Sequence, residues 1–282
     1  MKSENRWPLF RICTTGLAVR GSCWLLLGGI LAFAWAAPLL TPWQENPKIL
    51  QPARAQAAWM YVWLALATWL PFQAAALGRR LRADGLLEFQ RARGTGPISI
   101  WMQICASVLV WMFAVTIIAC VICLTICLPR NSDEAWLWLG LVLQYATLFT
   151  LVATPLLLLG VALGTCAGEV IAFLVPAFLL FTGLVAASWM EPVLTGSSSV
   201  VHRLAWLALP HYHLADLTPR LVFKMGPLTQ ADFLGSATCL ALQGVAITFT
   251  GLCMFRTRSS RSAPPLPAGR WQVSATKCPA LR

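Results

Sequence analysis

The chain has 282 residues, of which 58% are hydrophobic and 11% charged, with 14 Trp and a mean hydropathy of +0.70. A soluble domain carries about 25% charged residues, so this composition excludes an ordinary soluble enzyme and a disordered chain, and points to a polytopic membrane protein. The formal charge of +11, from 21 Lys+Arg against 10 Asp+Glu, suggests nucleic-acid binding only until the positions of the charges are considered.

In chain order, residues 1–20 mix Trp7, Leu9, Phe10, Ile12, Leu17 and Val19 with Lys2, Arg6, Arg11 and Arg20. A helix lying in the membrane interface has this character; Pro8 and Gly16 leave a disordered basic leader as the alternative. A bilayer core of about 30 Å takes about 20 apolar helical residues, and six stretches qualify: 21–40, 57–78, 98–128, 135–164, 170–190 and 234–255. None of them contains Asp, Glu, Lys, Arg or His. The third and fourth are long for one crossing, so they tilt or project past the headgroups. Pro71, Pro155 and Pro176 fall inside spans, where each removes a helix hydrogen bond and favours a kink. Residues 1–37 also have the basic start, apolar run Cys23–Phe33 and Ala34-Trp35-Ala36 triplet of a cleaved signal peptide; the long basic region and Pro38 argue against cleavage.

The basic residues orient the spans. With the N-terminus inside, Lys2, Arg6, Arg11 and Arg20, then Arg79, Arg80, Arg82, Arg91 and Arg93, then Arg256, Arg258, Arg261, Arg270, Lys277 and Arg282 fall on the inner side, and only six of the 21 fall outside. The positive-inside rule therefore predicts both termini in the cytoplasm of a multi-pass membrane protein. Ten cysteines are present, none in an expected outer connection, which argues against a disulfide scaffold.

Two connections hold most of the remaining sequence. The inner one, Arg79–Pro97, ends in Gly94-Thr95-Gly96-Pro97, and Leu81, Leu86, Leu87 and Phe89 give a short helix an apolar side. The outer one, Glu191–Phe233, contains an apolar stretch, Val200–Leu209, too short to span; a re-entrant helix pair and a loose surface loop are the two readings. The tail 256–282, with Ser259, Ser260, Pro264, Pro265 and Pro267, reads as disordered and basic, leaving 1–255 as the transmembrane domain.

Candidate chemistry is sparse. Glu169, in the short inner connection Thr165–Glu169, suits the positive N-terminus of the fifth span better than a proton relay. Cys120, Cys123 and Cys127 share a helical face and could bind soft Cu(I), but charging thiols in hydrocarbon is costly and small packing residues are the simpler reading. His211-Tyr212-His213 with Asp216, and His202 upstream, form the densest polar cluster, an outer-face metal or acid–base site in the enzyme reading. The sequence has no GxxxxGK[ST] motif, so nucleotide hydrolysis is not expected on this chain.

The arrangement resembles the membrane-spanning permease subunit of ABC-2 type ABC transporters. The inner residues that carry the likeness are Arg82-Ala83-Asp84-Gly85-Leu86-Leu87-Glu88-Phe89 followed by Gly96-Pro97-Ile98-Ser99. The outer ones are Leu209-Pro210-His211-Tyr212-His213-Leu214-Ala215-Asp216, then Gly226-Pro227 and a last span ending in Phe255-Arg256-Thr257-Arg258. The polar insertion Gln90-Arg91-Ala92-Arg93-Gly94-Thr95 departs from the family pattern. The resemblance implies an all-α fold with six transmembrane helices, an N-terminal interfacial helix, a coupling helix after the second span, and re-entrant helices between spans five and six. It implies a transport subunit without catalysis of its own, partnered by an ATPase subunit that binds ATP and Mg. A second permease copy, or a related chain, would complete the path, with membrane lipid around it and no nucleic acid. Gly85, Leu86, Leu87, Glu88, Phe89, Arg91 and Arg93 would meet the ATPase, and Pro210, His211, His213 and Asp216 would belong to the outer re-entrant segment. The polar-poor spans suit a hydrophobic or lipid-linked substrate; the alternative is a membrane-embedded enzyme using the outer histidines.

Overall fold

The computed structural model describes residues 7–36, 47–186 and 209–257, with positions 189, 190, 200, 201, 204 and 206. The first half of the expected outer connection, including His202, and almost all of the basic tail lie outside the described residues. Among the described residues the regular structure is entirely helical.

Helix α1 (Pro8–Ala18) buries Leu9, Cys13 and Leu17, a four-residue repeat that marks one face. It bends by 64° into α2 (Gly21–Ala36). Its first turn is held by the α6 side chain Gln103, whose Oε1 accepts the Leu9 N–H at 3.1 Å. The opposite face exposes Trp7, Ile12 and Val19 beside Arg11 and Arg20, in keeping with a helix laid across the end of a bundle.

Helices α3 (Pro47–Ala67) and α4 (Trp69–Ala83) are one apolar rod broken at Thr68. Pro71 explains the break: it has no N–H for the Ala67 carbonyl, the bond that would carry the helix through this turn. The Thr68 hydroxyl compensates locally by donating to the Leu64 carbonyl at 2.7 Å. A short helix α5 (Leu86–Ala92) leads to α6 (Pro97–Thr125), which starts with Gly96 as its N-cap and Pro97 in its first turn.

Helix α7 (Ser132–Cys166) has 35 residues, about 52 Å at 1.5 Å per residue. Asn131 caps it by accepting the Asp133 N–H, and Asp133 and Glu134 sit in its electropositive first turn. It is the axis of the fold: 72% of its most apolar stretch is buried, against 11% for the last helix, α10 (Gln230–Met254). Helix α8 (Glu169–Phe181) continues as a π-helical turn, Thr182–Ala186. A 3₁₀ turn, Tyr212–Ala215, and the one-turn α9 (Thr218–Val222) lead into α10. Thr229 caps α10, its hydroxyl accepting the Asp232 N–H and donating to the Asp232 carboxylate at 2.7 Å.

Among the described residues four helical units are long and apolar enough to cross a membrane: Gln51–Ala83, α6, α7 and α10, or five when the bent α1–α2 pair counts as one. Within the fifth expected span, 170–190, the structure has a shorter apolar helix, Glu169–Val185. Its regular α-helix passes into the π turn at Thr182, and residues 187 and 188 lie outside the described residues.

Where α4 crosses α7 the backbones nearly touch. A Cβ on Gly78 would overlap the Val161 carbonyl oxygen, and one on Gly164 would overlap the Ala75 carbonyl oxygen. Ala74 and Gly78 face Gly160 and Gly164, a small-xxx-small pairing that lets membrane helices approach without a driving force from water. Gly244 of α10 meets Pro155 of α7 in the same way: a Cβ on Gly244 would lie 3.3 Å from the proline ring.

Candidate functional site

The arginine-rich end of the bundle, where α4 stops and α6 starts, is built around α5. Gly85 begins it at φ +69° and Gly94 ends it at φ +84°, left-handed conformations that side chains with a Cβ disfavour. The Gly94 N–H donates to the Arg91 carbonyl at 2.9 Å and the Thr95 N–H to the Gln90 carbonyl at 3.2 Å, closing the helix before Pro97 starts the next. The two glycines and the proline thus set a compact corner, and the polar insertion Gln90–Thr95 is its C-terminal cap.

Within that corner the expected contact residues divide. Leu87 is 1% exposed and Gln90 5%; both face the chain's own core, and Leu86 is half-buried. Glu88, Phe89, Arg91 and Arg93 are exposed, and the Arg93 guanidinium lies 4.6 Å from the Phe89 ring centre. The outward face of α5 is therefore one aromatic ring framed by charge.

Arginines wire this corner to three other helix ends. Arg79 Nη1 meets Glu169 Oε2 at 3.1 Å, at the first residue of α8; Glu169 thus combines the favourable helix N-terminus with an ion pair. Arg82 donates to the Thr165 carbonyl at the end of α7. The buried Thr165 hydroxyl accepts the Arg256 N–H at 3.1 Å, just past α10, and donates to the Ala162 carbonyl at 2.7 Å. Arg91 Nη1 donates to the Thr257 hydroxyl at 2.6 Å. Helix α5 is thus tied by Arg91 to the segment just past α10, and the end of α4 that precedes it is tied by Arg79 and Arg82 to the start of α8 and the end of α7.

The opposite end carries a second polar assembly. The Tyr145 hydroxyl of α7 accepts the Trp63 indole N–H at 2.8 Å, donates to Asp216 Oδ1 at 2.8 Å and lies 2.7 Å from the Thr218 hydroxyl. Its ring stacks on Trp59 at 3.9 Å. Asp216 also accepts the Thr218 N–H at 3.0 Å. Next to Tyr145, Gln144 clamps Leu228, accepting its N–H at 2.7 Å and donating to its carbonyl at 3.1 Å.

Gln243 of α10 holds the histidine segment. Its Oε1 accepts the His211 N–H at 3.0 Å, which fixes the amide orientation, so its Nε2 donates to His211 Nδ1 at 2.8 Å and to the Leu209 carbonyl at 3.2 Å. His211 is thereby the tautomer protonated on Nε2, and Trp206 packs edge-on against its ring. His213 lies 5.9 Å away, ring centre to ring centre. Tyr212 inserts its ring against Gly183 in the π turn, where a Cβ would overlap it. Pro210 precedes this anchored run.

These contacts use His211 and Asp216 to fasten the outer segment to the helices. Among the described residues no three His, Cys, Asp or Glu side chains come together as a metal site. Cys120 and Cys123 lie on α6, whereas Cys127 falls past its end and so does not continue the expected helical face; Cys123 and Cys127 are buried.

The sequence reading missed Gln144, Tyr145, Gln243 and Trp63, because it searched the spans for charged residues and these are neutral. The available signal was a glutamine or tyrosine alone in an apolar run, which has to find a partner inside the protein. No family model, curated protein or solved structure matches the chain.

Proposed function

We propose that this chain is the permease subunit of an ABC-2 type ABC transporter. In this reading it has six crossings: α2, α3–α4, α6, α7, α8 and α10. Its termini are cytoplasmic in a cell inner membrane, and α1 lies in the inner interface. The two shorter crossings, α2 and α8, belong to the periphery, where local thinning of the bilayer accommodates a mismatch. A separate ATPase, carrying ATP and Mg, docks on the outward face of α5, with Phe89 as apolar anchor and Glu88, Arg91 and Arg93 as the charged rim. Two permease chains, identical or related, enclose the path.

One observation carries the reading: the short helix between the second and third crossings is bonded through Arg91 to Thr257, just past α10, and the end of α4 that leads into it is bonded through Arg82 to the end of α7. A loop serving only as a connector has no need of such wiring, whereas a lever requires it. The spans without charged side chains support a hydrophobic or lipid-linked substrate rather than a small ion. The holding role of Gln243 on His211 favours a structural outer segment over an acid–base site.

The test is a cysteine at Phe89 with photo- or disulfide crosslinking in native membranes. A crosslinked chain bearing a Walker motif is expected, along with loss of ATP-driven transport in Glu88→Ala/Arg91→Ala. Recovery of no ATPase, with transport intact in the double variant, removes the coupling claim.

A further inference from the structure

Arg54 stands apart from every other charged side chain in the described structure. Its Nε is shut off from solvent without a hydrogen-bond partner, the only arginine or lysine nitrogen among the described residues of which this holds. Its guanidinium lies 4.4 Å from the Trp35 ring centre. By contrast, Arg220, at the same end of the bundle, spends its donors on the Gly226 and Pro227 carbonyls.

The surroundings define a cavity of about 220 Å³ lined by Leu31, Ala34, Trp35, Arg54, Ile122 and Ile126. That is room for about seven waters. The lining comes from the end of α2, the early turns of α3 and the end of α6, all at the end opposite the arginine-rich corner. Arg54 sits about 10 Å along α3 from its start, and Trp35 is one residue from the end of α2, the depth at which tryptophans mark a membrane–water interface.

A guanidinium has five donors in a fork that matches a phosphate. Here the π face is occupied by Trp35, the walls are aliphatic, and among the described residues no carboxylate pairs with it. We propose that this cavity binds the phosphodiester headgroup of a phospholipid, with Arg54 on the phosphate oxygens, Trp35 ordering the guanidinium, and Leu31, Ile122 and Ile126 receiving the first carbons of the chains. The site goes beyond the permease reading and does not depend on it.

The test uses the purified full chain, delipidated in mild detergent and titrated with dioleoylphosphatidylglycerol or with dioleoylglycerol, which has the same chains and no phosphate, read by native mass spectrometry. One phosphatidylglycerol is expected to be retained and dioleoylglycerol not. Arg54→Gln should weaken retention about tenfold, the loss of a charge-assisted pair, and Arg54→Lys should lose part of it through the lost stacking. Lys224→Gln, at an exposed position of the same end, should change nothing. If Arg54→Gln does not fold, Arg54→Lys and Trp35→Leu carry the test. Equal retention of both lipids, or wild-type retention in every foldable Arg54 and Trp35 variant, overturns the proposal. So does displacement of the lipid by inorganic phosphate at an equal concentration, which would assign the site to the free anion.

Discussion

Replacing Tyr145 by Phe removes one oxygen from the centre of the second polar assembly and leaves the ring stacked on Trp59. The hydroxyl makes three contacts, to Trp63 Nε1, Asp216 Oδ1 and the Thr218 hydroxyl, at 2.8, 2.8 and 2.7 Å. Side-chain hydrogen bonds in membrane proteins average about 0.6 kcal/mol, which for three contacts suggests about 2 kcal/mol. The Trp63 N–H is also left without an acceptor in apolar surroundings, a cost of about 1–3 kcal/mol. Asp216 keeps the Thr218 N–H and is exposed to solvent, so its own loss is small. The expected destabilisation is about 3–5 kcal/mol, read as unfolding in mixed micelles by denaturant titration. Tyr61→Phe is the control, because among the described residues no hydrogen bond to the Tyr61 hydroxyl is found and the variant should fall within about 0.5 kcal/mol of wild type. A Tyr145→Phe protein as stable as the Tyr61→Phe protein would refute the reasoning. A double-mutant cycle with Asp216→Ala would then show whether the assembly couples at all.

The α4–α7 crossing predicts that Gly164→Val costs at least about 2 kcal/mol, since backbone must move to admit its side chain, whereas Gly16→Ala, on an open face of α1, is neutral or stabilising by up to about 1 kcal/mol; the same micelle titration compares them. Gln243→Leu should release residues 209–211 while the helices stay assembled, seen as faster hydrogen exchange confined to that segment. Arg79→Ala should cost under about 1 kcal/mol in the same micelle titration, because its pair with Glu169 is exposed, with the arginine side chain at 59%.

The membrane class, the helical content and most helix positions were legible in the sequence because they depend on local properties: apolar runs of sufficient length, Gly85 and Gly94 at turns that need them, and Pro97 at a helix start. The kink expected from Pro71 appears as the break at Thr68, and the early residues form a helix bent sharply from the next, as their mixed polarity suggests. The residues of the inner corner were named by resemblance, but which of them face outward was not legible. Leu87 reads like Phe89 among the apolar residues of that stretch, and only the packing of α5 against its neighbours turns one inward and leaves the other bare.

What tertiary structure alone decided is the pairing of polar groups across distant positions. Gln103 caps a helix 94 residues away, Tyr145 reaches Asp216 across 71, and Arg91 reaches Thr257 across 166. Such bonds have no period or spacing in the chain, because their partners are chosen by how helices cross, and the crossings depend on where glycines let two backbones meet. Composition and local pattern determined that this protein belongs in a bilayer and where its helices lie. The close approach of α4 to α7 decided which scattered side chains share an end, and so where a push on α5 would be felt.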